Sequence, residues 1–185
     1  MPRPPREPPA RADDDPEPDP ESVARTIALR RLAAAPQTRA QLDEAMRRRG
    51  VPDDVRKRVL TRFTEVGLVD DVLFAQAWVH SRHAGRGLAG RALAAELHRR
   101  GVERAVVEDA LADLPPEAEE ATARRLVATK LSATHGLDPA ARLRRLVGLL
   151  ARKGYPSGMA YRVVRDVLAD DTAVDDVLTE VEAAP

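Results

Sequence analysis

The chain contains no cysteine, which excludes a disulfide framework and any thiolate metal site. Aromatic residues are scarce at 3% of 185 positions. With few strand formers and abundant Ala, Leu, Arg and Val, the composition points to an all-α protein. No apolar run approaches the roughly 18 residues a membrane span needs, and the N-terminus has no apolar signal core. These absences lead to the expectation of a soluble, cytoplasmic protein with no membrane partner.

The formal net charge of zero hides a strong asymmetry. Residues 1–21 carry seven acids against three arginines, and residues 166–185 carry seven acids and no base. Between Ser22 and Arg165 there remain 27 basic and 16 acidic residues. Only Lys57, Lys130 and Lys153 among the basic residues are lysines. A basic body with acidic ends suits a polyanion, or a partner that carries one. The first 20 residues hold eight prolines and almost no large apolar side chain. Residues 1–21 are therefore expected to be a disordered, Pro-rich acidic tail, and 171–185 an acidic C-terminal tail.

Between the tails one pattern is written three times. Gly50, Gly101 and Gly154 each follow a leucine by eight positions (Leu42, Leu93, Leu146) and Met46, Leu97 or Leu150 by four. Arg47 to Arg49, His98-Arg99-Arg100 and Ala151-Arg152-Lys153 immediately precede them, and Val51, Val102 or Tyr155 follows. Apolar residues at these spacings make one face of a helix, bases in the last turn suit its dipole, and glycine supplies a left-handed cap. A second helix then starts, with Pro52 or Pro156 suited to its first turn. A further helix precedes each pair, at roughly 22–34, 71–83 and 117–132, and a weaker one is expected from about 172 to 182. Thr38 with Gln41 forms a candidate capping box. The expectation is three tandem three-helix repeats, 22–69, 70–115 and 116–170, in an elongated, curved array whose neighbouring units complete each other's cores.

Several local patterns tempt toward chemistry. Gly85-Arg86-Gly87-Leu88-Ala89-Gly90 matches the dinucleotide fingerprint, but Phe74 to His83 before it is spaced as a helix and not as the required strand. It is read as a flexible loop exposing Arg86 and Arg91. His80 and His83 lack companion ligands at zincin spacing and are read as surface or loop-edge histidines. Asp70 and Asp71 stand where acids cap a helix. The Phe74–Trp78 pair, four apart, fits core more readily than a stacking platform. No enzymatic activity, metal or cofactor is expected. The remaining signal is basic: Arg47, Arg48, Arg49, Arg82, Arg86, Arg91, Arg99, Arg100, Arg152 and Lys153 are the candidate partner- or DNA-binding residues.

The run Gly67-Leu68-Val69-Asp70-Asp71-Val72-Leu73-Phe74-Ala75, then Trp78-Val79, Arg82, Gly87 and Glu96 to Val102, resembles the RecX family of RecA regulators. The first unit adds Ala33 to Gly50 and the third Leu146 to Tyr155, so the resemblance covers about residues 22–170. Lys153 and the proline-rich N-terminal tail depart from the family pattern. The resemblance implies a monomer that lies in the helical groove of a RecA filament, against single- or double-stranded DNA. There such a protein restrains ATP hydrolysis, strand exchange and co-protease activity. The residues alone also allow a general DNA-binding helical-repeat protein that needs no recombinase.

Overall fold

A computed structural model describes residues 19–182, with side chains through Asp171. It contains α1 (Pro20–Ala34), α2 (Arg39–Arg47), α3 (Asp53–Glu65), α4 (Asp71–Arg86), α5 (Gly90–Arg99), α6 (Arg104–Ala112), α7 (Pro116–Leu131), α8 (Pro139–Arg152) and α9 (Ser157–Glu182), and no strand among the described residues. The helices form three tandem three-helix units. Residues 1–18 of the expected N-terminal tail lie outside the described residues. Pro20 and Glu21, assigned to that tail, open α1 instead, because the Asp19 carboxylate caps the Glu21 and Ser22 amides.

Every extensive helix–helix contact lies within a unit, as α1 with α2 and α3, or α4 with α5 and α6. The repeat positions explain this. Leu42, Leu93 and Leu146 are buried, as are Met46, Leu97 and Leu150, and each set anchors a separate core cluster. Fully burying each such side chain contributes about 1.5–3 kcal/mol. The expectation that neighbouring units complete each other's cores holds only in part: each unit has its own core cluster, and Ala89 of the second joins that of the third. Apolar groups meet across the joints where Ala89 enters the third unit's cluster and Leu126 packs against Gly87.

The joints are made by helix ends. Thr38, the N-cap of α2, forms the expected capping box with Gln41, and its hydroxyl also donates to the Arg100 carbonyl at the end of α5 (2.6 Å). Ala89, the N-cap of α5, donates from its amide to the Lys153 carbonyl at the end of α8 (2.9 Å). Gly101 and Gly154 lie in the left-handed region (φ +77° and +90°) and abut Ala40 and Ala92 in the preceding middle helix. The middle helices thus run end to end, negative dipole end against positive. An acid completes each joint: Asp71 Oδ1 accepts from the Arg39 amide (2.8 Å), and Glu119 Oε1 from the Gly90 amide (2.5 Å). Helix α8 has an additional turn and its own Asp138 cap, so its N-terminus needs no further unit.

Two other expectations change. A break near residue 171 is absent, and α9 runs unbroken to Glu182, merging the expected weaker helix with the third repeat. No glycine or proline lies between Gly158 and Glu182, so neither residue type interrupts the helix there. The Gly85–Gly90 stretch is no flexible loop. Helix α4 continues to Arg86, Gly87 is its left-handed cap, and the Gly87 carbonyl accepts from the buried Tyr155 hydroxyl (3.2 Å).

Candidate nucleic-acid interface

The arginines divide into those held by carboxylates and those that are not. Arg47 and Arg48 both pair with Glu44 at 2.7 Å, and Arg48 first, then Arg47, hold that carboxyl below its usual value. Arg56 is held by Asp43 and Asp53, Arg58 by Asp54, and Arg142 by Asp171. These i,i+3, i,i+4 and cross-helix pairs neutralise much of the first and third units. Arg49, Arg82, Arg86, Arg91, Arg99, Arg100 and Arg152 have no ion pair among the described residues. Arg30, Arg31, Arg39, Arg125, Arg144 and Arg145 also lack one, but of the seven candidates all except Arg49 stand beside a joint.

At the first joint they surround Trp78. Phe74, Trp78, Arg82 and Arg86 recur every four residues and so share one stripe of α4. Phe74 is buried and stacks on Trp78 with 5.6 Å between centroids and 15° between planes. Two guanidiniums lie over the indole: Arg82 at 4.1 Å and Arg100 at 3.8 Å from its centroid. Such cation–π contacts hold the cation in place while leaving N–H groups free. The nearest acid, Glu96, accepts from the indole Nε1 (2.9 Å). Burial lowers the Arg100 pKa, Glu96 opposes that shift, and Arg82 and Arg99 add to it. A guanidinium starts so far above neutrality that it stays charged. Gln41 from the first unit closes a concavity of about 330 Å³ with Trp78, Arg82, Arg86, Glu96, Arg99 and Arg100.

The same construction recurs with different content. Adding the 51-residue glycine spacing to Ile27, Arg31, Arg48 and Arg49 gives Trp78, Arg82, Arg99 and Arg100. In the first unit Ile27, Arg30, Arg31, Arg48 and Arg49 line a concavity of about 270 Å³ without the aromatic platform. At the second joint Arg91 and Arg152 border about 330 Å³ beside Gly154 and Tyr155. Lys153 belongs to the joint itself, its ammonium donating to the Arg86 carbonyl (2.5 Å).

The structure therefore gathers Arg82, Arg86, Arg99 and Arg100, places Arg91 with Arg152 one joint away, and neutralises Arg47 and Arg48. Sequence reasoning passed over Arg30 and Arg31 and read Trp78 as core, although the four-residue stripe that carries Trp78 to Arg82 and Arg86 was visible. His83, read as a surface or loop-edge histidine, is half-buried at the edge of the α4–α5 turn. Its Nδ1 lies 2.9 Å from the Leu88 carbonyl and its Nε2 3.0 Å from the Thr122 hydroxyl of the third unit. No group of three His, Cys, Asp or Glu residues among the described residues is placed to hold a metal. No described helix is long and apolar enough to cross a membrane.

Family models described as the first, second and third three-helix domains of RecX match residues 24–63, 70–111 and 117–164. The regulatory protein RecX of Thermobifida fusca is 59% identical over 153 residues, 82% of this chain and 83% of that protein. The chain belongs to the RecX family. The RecX of Streptomyces coelicolor is 57% identical over 157 residues, covering 85% and 84% of the two chains. A crystal structure of RecX from Lactobacillus salivarius superposes with a TM-score of 0.74 over 80% of this chain and 97% of that one. Its sequence is only 15% identical, so that likeness speaks for the RecX fold alone. The family is one of regulatory proteins.

Proposed function

We propose that this chain regulates a RecA recombinase by binding its filament, with the arginine groups at the joints facing the DNA-bearing groove and restraining ATP hydrolysis and strand exchange. The observation that carries this reading is the set of unpaired arginines around Trp78, in a concavity that Gln41 of the neighbouring unit closes. Phosphate contacts of this kind are salt-sensitive and indifferent to sequence. Units joined end to end place successive arginine groups along a line, so modest contacts add through effective concentration. Inhibition further requires tighter binding to one filament state than another, since equal affinity shifts no equilibrium.

The test is a titration into RecA filaments on single-stranded DNA, reading ATP hydrolysis and strand exchange. The wild-type chain suppresses both, and an Arg82→Glu/Arg99→Glu variant with unchanged helicity does so only at much higher concentration. A wild-type chain that leaves both rates unchanged overturns the proposal. Equal affinity for bare and recombinase-coated DNA supports a general DNA-binding protein instead.

A further inference from the structure

Seven large apolar residues are exposed among the described ones, and four of them fall within eight consecutive positions. Val66 and Leu68 are each 49% exposed, Val72 47% and Leu73 63%. They occupy the turn from α3 to α4 and the first turn of α4. An apolar cluster of this density on a surface marks a contact site more often than chance scatter does.

The backbone beneath it is held at several points. Gly67 takes a left-handed conformation (φ +70°), and the Leu68 and Val69 amides both donate to the Phe63 carbonyl (2.9 and 3.2 Å). Val69 is buried, filling the core position beside its exposed neighbours. Asp70 caps α4 through the Val72 and Leu73 amides, each at 2.9 Å. Asp71 then ties the turn to the Arg39 amide of the first unit. Four apolar side chains are thus presented on preorganised backbone, which lowers the ordering cost of a partner's docking.

Position and charge indicate the partner. At 3.6 residues per turn, Leu73 lies about 140° around α4 from the mean direction of the Phe74, Trp78 and Arg82 stripe. Leu73 and the arginine concavity therefore stand on opposite flanks of α4. Around the cluster, Glu65 pairs with Arg62 (3.4 Å), and Asp70 and Asp71 add acid, so no net positive field favours phosphate there. A partner that covers both flanks presents an apolar protein surface next to a polyanion, as a protein-coated nucleic acid does.

Building on the proposed function, we infer that Val66, Leu68, Val72 and Leu73 form a docking surface for the recombinase protein of the filament, separate from the arginine surface that meets its DNA. The test uses the full chain with two variants, Leu68→Ala/Leu73→Ala and Leu73→Glu, each checked for unchanged helicity. Affinity is measured for RecA-coated and for bare single-stranded DNA at one salt concentration. Both variants are expected to bind filaments at least about tenfold more weakly while binding bare DNA within about twofold of wild type. Filament binding within twofold of wild type overturns the docking surface and leaves the proposed function standing. Parallel losses on bare DNA overturn it as a protein contact. A wild-type dimer in sedimentation that the variants dissociate gives the surface to a second copy of the chain and also overturns the inference. A wild-type chain with no filament binding removes both readings together.

Discussion

A Cβ at Gly101 would collide with the Cβ of Ala40, at the point where the end of one middle helix meets the start of the one before it. Gly154 repeats the relationship with Ala92, whose Cβ and amide nitrogen would each lie 2.6 Å from the added carbon. Gly50 shares the left-handed backbone (φ +76°), but nothing lies within 4 Å of its Cβ position. The three repeat glycines therefore have a common conformational role, and two of them have a steric role at the joints.

Substituting alanine at each position separates the two roles. Gly50→Ala is expected to cost about 1–2 kcal/mol, the penalty of a left-handed L-residue. Gly101→Ala and Gly154→Ala add an overpacking cost of about 1–3 kcal/mol. Thermal unfolding of the three variants should place Gly50→Ala clearly above the other two, and equal midpoints would show that the joints yield.

Charge that is already paired should matter less than charge that is free. Arg99→Gln is expected to weaken binding to DNA-bearing filaments about three- to tenfold and to lower the slope of log affinity against log salt by about 1. Arg47→Gln, whose guanidinium Glu44 already holds, should stay within about twofold of wild type. Trp78→Leu should lose about as much affinity as Arg99→Gln with helicity intact, because the indole positions Arg82 and Arg100.

Asp70 and Asp71 have different tasks despite their adjacency. Burial is the main cause that raises the pKa of Asp71, against the Arg39 amide and charge, so its ionised form is disfavoured in the fold. Its contribution is therefore most favourable below the usual carboxylate range and declines as pH rises through the raised value. Asp71→Asn keeps an acceptor without that charge and should leave neutral-pH stability unchanged or slightly increased. Asp71→Ala strands the Arg39 amide and should cost about 1 kcal/mol. Denaturant titrations at pH 4 and pH 7 test both, and a large loss in Asp71→Asn would contradict this account.

Tyr155 joins the third unit to the Gly87 turn, and burial first, then Glu119, pushes its phenol up to about 12. A folded-state value above the ordinary 10 means that its contribution is fully present below pH 10 and is lost between pH 10 and 12. Tyr155→Phe should remove this part of the alkaline stability loss and lower neutral-pH stability by about 1 kcal/mol. Unfolding curves from pH 8 to 12 for both proteins provide the comparison.

The sequence alone determined the helical units, because the apolar residues eight and four before each glycine share a helix face, and the helix-forming composition, the bases just before the glycine and its left-handed cap all agree with a helix ending there. It also showed the Thr38–Gln41 box and the Asp70 cap, whose bonds span three residues or fewer. The joints were not legible. Thr38 with Arg100, Asp71 with Arg39 and Tyr155 with Gly87 meet across long stretches of chain, and no local periodicity encodes such pairings. Free arginines could not be told from neutralised ones for a related reason. The pairing of Arg47 and Arg48 with Glu44 depends on rotamer geometry, and the freedom of Arg82 and Arg100 depends on Trp78 and Glu96 engaging each other. Only the tertiary structure decided which of the repeated basic runs present their charge and where along the array they do so.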